Sequence, residues 1–133
     1  MSSKELAKKK RSKLEENFEK LLNEYKFSYE YETTVIPYIV PESKHKYTVD
    51  WTLPNGILVE TKGYLSDLVE RTKYILIKKQ YPELDLRFVF ANPAKLCGGM
   101  KKKHWQWAEE QGFLWCGITD IDTIIKWAEE PKK

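Results

Sequence analysis

Cysteine is scarce in this chain. Cys97 and Cys116 are its two thiols, too few for a disulfide scaffold or a cysteine-rich zinc site, and a reducing cytoplasm is the expected setting. The two histidines, His45 and His104, stand apart, and neither is assigned to a metal. Long apolar runs are also missing. Uninterrupted aliphatic stretches reach about three or four residues, against the roughly 18 that a membrane-spanning helix needs. No apolar stretch follows the basic start of the chain, so no secretory signal is expected. There is no internal repeat and no linker-like segment that would divide two domains.

What is present points to one packed domain. The chain has 133 residues, 41% of them hydrophobic, with five Trp, eight Tyr and five Phe. That aromatic content excludes a disordered chain. The net charge of +3 is unevenly spread: residues 1–13 carry +5 and the remaining 120 carry −2. A basic arm suits a polyanionic partner, and it suits a solvated terminus equally well.

Residues 1–11 have no hydrophobic period and read as a flexible arm. Ser12 then opens a helix to about Lys26, with Leu14, Phe18, Leu21, Leu22 and Tyr25 in one stripe and Glu15 placed to close a capping box. Residues 28–36 alternate as a strand, and Pro37 and Pro41 confine Tyr38–Val40 to an edge or a crossing connection. Glu42 to Lys46 reads as a polar loop. Tyr47–Leu53 and Ile57–Lys62 read as a hairpin around Pro54-Asn55-Gly56. A helix capped by Ser66 or Asp67 runs to about Gln80, with Val69 and Leu76 inward. A buried strand at Leu86–Phe90, a helix over roughly Lys102–Gln111, a strand at Phe113–Cys116 and a helix from Asp120 to about Glu129 complete the order. A mixed sheet flanked by helices, an α/β (α+β) architecture, follows.

The hairpin carries the chemistry. Glu60 and Lys62 share one face of their strand, being two residues apart. A three-residue turn pairs Leu53 with Ile57 and sets Asp50 opposite Glu60, whereas a two-residue turn would put Asp50 on the other face. The first register gathers Val49, Trp51, Val59 and Thr61 into a largely apolar opposite face. Opposed carboxylates repel unless a cation lies between them, and magnesium favours oxygen ligands together with substrate phosphate. A lysine beside them suits phosphodiester hydrolysis. A cross-strand charge cluster on a solvated face would use the same residues.

Asp50 with Glu60-Thr61-Lys62 resembles the core of the nuclease superfamily named for its PD-(D/E)xK pattern, with Val49 where that pattern has proline. In order along the chain, Arg11–Glu15, Tyr29–Glu32, Val35–Tyr38, Tyr47–Asp50, Leu53–Ile57, Val59–Gly63, Gln80–Arg87 and Trp127–Lys133 resemble the phage endonuclease I family of Holliday-junction resolvases. The resemblance covers roughly residues 11 to 133. It implies a restriction-endonuclease-like core and a catalytic set of Glu15, Asp50, Glu60 and Lys62. Asp50, Glu60, Glu15 and the Thr61 backbone carbonyl would ligate Mg2+ or Mn2+, two ions per site, and Glu30 would be an accessory acidic position. It also implies an intertwined homodimer with exchanged N-terminal segments, a bridge around 37–46, and Glu15 reaching the partner's site. No small-molecule cofactor and no membrane are expected, and a phage-encoded protein would work in the host cytoplasm.

Several residues keep two readings. Glu15 closes a capping box or joins the site, and both roles are compatible. Glu30 and Glu32 suit a solvated strand face as well as a functional one. Lys101-Lys102-Lys103 sits poorly at a helix N-terminus, where the dipole is positive, and so tilts towards phosphate contact. Arg71, Lys73, Lys78 and Lys79 read as a solvated helix face. The expected activity is metal-dependent cleavage of four-way DNA junctions, with Lys8, Lys9, Lys10 and Arg11 and Lys101, Lys102 and Lys103 on the DNA. The competing readings are a duplex-cutting restriction or repair nuclease and a non-catalytic dimeric DNA-binding protein.

Overall fold

A computed structural model describes residues 12–40 and 43–132. The arm residues Lys8, Lys9, Lys10 and Arg11, and positions 41 and 42 of the expected bridge, lie outside the described residues. The elements are α1 (Lys13–Glu24), β1 (Glu30–Tyr31), β2 (Val35–Val40), β3 (Ser43–Thr48), β4 (Trp51–Thr52), β5 (Leu58–Lys62), α2 (Leu68–Gln80), β6 (Leu86–Phe90), α3 (His104–Glu110), β7 (Trp115–Gly117) and α4 (Ile121–Glu129).

A five-stranded sheet has the order β1-β4-β5-β6-β7. β1, β4 and β5 pair antiparallel, whereas β5, β6 and β7 run parallel. The expected mixed sheet is therefore present, with four helices among the described residues. Helices cover both faces, because residues of each strand point alternately to opposite sides. Leu58, Phe88 and Phe90 pack with Tyr74 and Ile77 of α2 and Trp107 and Ala108 of α3. Trp51, Val59, Val89 and Cys116 pack with Phe18, Leu21 and Leu22 of α1 and Ile124 and Trp127 of α4. β6 is buried along its whole length. Its one charged residue, Arg87, is held by Asp85 and Glu130.

The local signals act as sequence chemistry dictates. Ser12 caps α1, accepting from the Glu15 N–H at 3.1 Å while Glu15 reaches back to the Ser12 N–H. Such a cap contributes about 1 kcal/mol. Asp67 caps α2 and Asp120 caps α4. The hairpin turn has three residues: the Leu53 N–H donates to Ile57 at 2.9 Å, and Trp51 pairs with Val59. Gly56 takes φ 91°, a conformation open to glycine.

Other expectations are corrected. The strand expected over 28–36 is broken at Glu32, whose φ of 52° turns the chain, so β1 and β2 belong to different sheets. Residues 43–46 of the expected polar loop belong instead to β3, paired along β2 from Val35–Thr48 to Val40–Ser43. Most of β3 is exposed, so no apolar alternation marked it. The strand expected over 47–53 is likewise divided, Tyr47 and Thr48 joining β3 and Trp51 and Thr52 joining β4. Val49 therefore packs in the α2-side core rather than with Trp51 and Val59. On α2, Val69 is 81% exposed, while Arg71 is only 5% exposed and donates to the Leu65 carbonyl. No described helix is long and apolar enough to cross a membrane.

Candidate active site

The site forms where the sheet opens at Asp50. The register of β4 with β5 would bring Val49 opposite Thr61, but the chain has turned away. The Val49 N–H donates to Thr34 at 2.9 Å. The Thr61 N–H, left without a strand neighbour on that side, donates to Asp50 Oδ2 at 3.1 Å, and the Thr61 hydroxyl donates to the same oxygen at 2.9 Å. Asp50 thus closes the end of the ladder with its side chain.

Its neighbour anchors it. Trp51 is fully buried among Phe18 of α1, Tyr29 and Tyr31, with ring centroids 4.8 to 5.3 Å away. Phe18 and Glu15 are three residues apart on one face of α1. Packing Phe18 on Trp51 therefore delivers Glu15 to Asp50. One Glu15 oxygen serves the cap, and the other accepts from the Tyr31 hydroxyl at 2.7 Å. Oxygens of Glu15, Glu32 and Asp50 lie within 4.8 Å of one another.

On the other side of β5, Glu60 is 5% exposed. The Tyr47 hydroxyl donates to its Oε1 at 2.5 Å and the Tyr74 hydroxyl to its Oε2 at 3.0 Å. The Lys62 Nζ lies 3.8 Å from the same Oε2 and in closer ion-pair contact with Glu70 of α2.

Electrostatics follow from this crowding. Burial, then the charges of Glu60 and Glu15, push the Asp50 carboxyl up to about 8 despite the Thr61 hydrogen bonds. Burial also raises Glu60, against the opposing pull of Lys62, the two tyrosines and Lys73. Burial alone would lower Lys62, but Glu60, Glu70 and Asp50 outweigh it and hold the ammonium charged. An all-oxygen donor set whose central carboxyl resists ionisation fits a hard divalent cation, which removes that resistance.

The structure brings together four of the sequence-marked residues, Glu15, Asp50, Glu60 and Lys62, with Thr61 between them. It leaves Glu30 outside the acidic cluster: Glu30 is exposed and accepts from the Thr33 hydroxyl at 3.0 Å. Lys101, Lys102 and Lys103 are exposed on the loop before α3, with Lys102 paired to Glu110. Glu32 takes a place that strand alternation did not show, because its positive φ redirects it. Glu70, Tyr47 and Tyr74 were also missed. Only Glu70 and Tyr74, one helical turn apart after the lysine, left a trace in the sequence.

Comparison with known proteins agrees with this chemistry. A family model of phage endonuclease I matches residues 1–133. Endodeoxyribonuclease 1 of Enterobacteria phage T3 is 44% identical over 124 residues, covering 92% of this chain and 79% of the relative. Endonuclease I of Escherichia phage T7 is 42% identical over 126 residues, covering 92% and 80%. The protein is thus a nuclease, a hydrolase of DNA phosphodiester bonds. More narrowly, the chain belongs to the phage endonuclease I family.

Proposed function

We propose that this nuclease is a metal-dependent, structure-selective endodeoxyribonuclease that resolves four-way DNA junctions by cutting symmetrically placed strands. The observation that carries the catalytic part is Asp50, clustered with the carboxylates of Glu15 and Glu32 and within reach of the charge of Glu60, with Lys62 beside Glu60. Asp50, Glu60, Glu15 and the Thr61 carbonyl would hold Mg2+ or Mn2+, and Glu32 joins this set by its position. When bound, such ions neutralise phosphate charge and acidify a water. Glu30, outside the cluster, keeps the accessory part that the family resemblance implies.

The chain's own groups do the rest. Lys62 offers ammonium donors to a phosphate oxygen as negative charge grows there. Tyr47 and Tyr74 hold the Glu60 carboxylate in one orientation, so it needs little reorganisation when substrate arrives. The Thr61 N–H and hydroxyl do the same for Asp50.

Junction selectivity rests on assembly. A homodimer carries two such sites related by symmetry. Exchanging the segment before β3 between two copies would reproduce the Glu15–Asp50 neighbourhood between chains, with residues 37–46 as the bridge and a restriction-endonuclease-like core in each half. The basic arm, including Lys8, Lys9, Lys10 and Arg11, and the exposed Lys101, Lys102 and Lys103 would contact backbones without reading sequence.

The test compares a synthetic four-way junction with linear duplex, with and without magnesium. Metal-dependent cleavage of the junction is expected, and Lys62→Ala should slow it by roughly 10²–10³-fold. Preferential cutting of linear duplex would favour a restriction or repair role. Junction binding in EDTA without any product on adding metal would mark a DNA-binding protein.

A further inference from the structure

One further acidic residue reaches the site, beside Lys62. Glu70 lies in the first turn of α2, its N–H donating to the capping Asp67 at 2.8 Å. Its carboxylate forms the closest ion pair of Lys62, while Glu60 stands 3.8 Å from the same ammonium. Four residues on, Tyr74 donates to Glu60. Residues four apart share one helix face. A single face of α2 therefore grips both functional side chains of β5, Lys62 through Glu70 and Glu60 through Tyr74.

A lysine is a point charge on a flexible four-carbon stem. Beside a buried carboxylate and without another partner, it would settle onto that carboxylate. The Lys62 and Glu70 side chains are 19% and 20% exposed, so their pairing is partly shielded from water and can hold an orientation. The ring of Tyr74 lies 5.7 Å from the same ammonium and limits its sweep.

We propose that Glu70 is a positioning residue, which holds the Lys62 ammonium off Glu60 and oriented towards the substrate phosphate. The proposal rests on the role assigned to Lys62 above. A Glu in the first turn also suits the helix dipole. That role alone would change stability and leave turnover untouched.

A double-mutant cycle separates these readings, using the full chain and a DNA substrate that the wild-type protein cleaves. Glu70→Gln is expected to lower kcat by roughly 10–100-fold, the scale of a misplaced catalytic group, with KM nearly unchanged. The Glu70→Gln/Lys62→Ala double variant should be no slower than Lys62→Ala, because Glu70 acts through Lys62. In protein with 15N-labelled lysine and no metal, the Lys62 ammonium signal should be present in the wild type and lost in Glu70→Gln. A wild-type kcat in Glu70→Gln, multiplying effects in the double variant, or an ammonium signal that persists in Glu70→Gln would each overturn the proposal. Wild-type cleavage by Lys62→Ala would instead overturn the role of Lys62 itself, and the positioning role with it.

Discussion

At Asp50 the fold holds a carboxyl whose ordinary value of 3.8 has risen to about 8, through burial and the charges of Glu60 and Glu15. Below about pH 4 the folded and unfolded chains both keep this proton. Between there and about pH 8 the unfolded chain has lost it and the fold retains it, so stability falls as pH rises through that window. The metal-free protein should therefore melt lower at pH 8 than at pH 5, and magnesium should narrow the difference in a thermal scan. Asp50→Asn should raise the metal-free melting temperature at pH 8 and abolish cleavage, a trade of activity for stability. At Glu60, Tyr74→Phe leaves a buried carboxylate short of one donor. It should cost about 1–3 kcal/mol in denaturant unfolding at pH 8, together with slower cleavage.

Among the elements, the loop joining β5 to α2 fixes where Lys62 ends and Glu70 begins. Leu65 is its pin: its N–H donates to His104 Nε2 at 3.1 Å, and its carbonyl accepts from Gly98 and Arg71. His104 can accept there because burial, reinforced by Lys95, lowers it to about 4 and keeps the ring neutral. A Cβ on Gly98 would stand 1.7 Å from the Ser66 carbonyl oxygen. Gly98→Ala should therefore shift this loop, costing about 1–3 kcal/mol by unfolding assay and slowing cleavage through Lys62. Elements of this kind differ in how well the sequence announces them. The caps at Ser12, Asp67 and Asp120 and the turn at Pro54-Asn55-Gly56 are written in adjacent residues. The breaks at Glu32 and Asp50 are not, because a turn in mid-strand is decided by which sheet each half joins. Val69 reads as core by spacing and is exposed, whereas Arg71 reads as surface and is buried under Leu65. Spacing marks a face without saying what covers it.

For the whole molecule, the question is whether Glu15 serves its own Asp50 or a partner's. Mixing Glu15→Ala and Asp50→Ala subunits under conditions that permit exchange answers it. If segments are exchanged, heterodimers regain one intact site and cleavage returns; if each chain completes its own site, every site keeps one defect. Charge belongs to this scale too. Setting Glu15, Glu32, Asp50 and Glu60 aside as metal ligands turns the −2 of residues 14–133 into +2, so the body does not repel DNA and the arm adds to it. Removing residues 1–10, with their four lysines, should weaken junction binding and flatten its log–log salt dependence by roughly 3–4 per subunit. Metal binding, measured by calorimetry, should be unchanged.

By itself the sequence determined the helix starts, the hairpin register and the carboxylate and lysine positions on β5. Each depends on residues close together in the chain: a cap with its acceptor three residues on, a turn of fixed length, side chains alternating along a strand. Tertiary structure alone decided that Glu32 joins Asp50, that Tyr47 and Tyr74 hold Glu60 and that Glu70 grips Lys62. Those contacts arise where α1, α2 and the β2–β3 hairpin meet the open end of the sheet, and no local pattern encodes a meeting of distant elements.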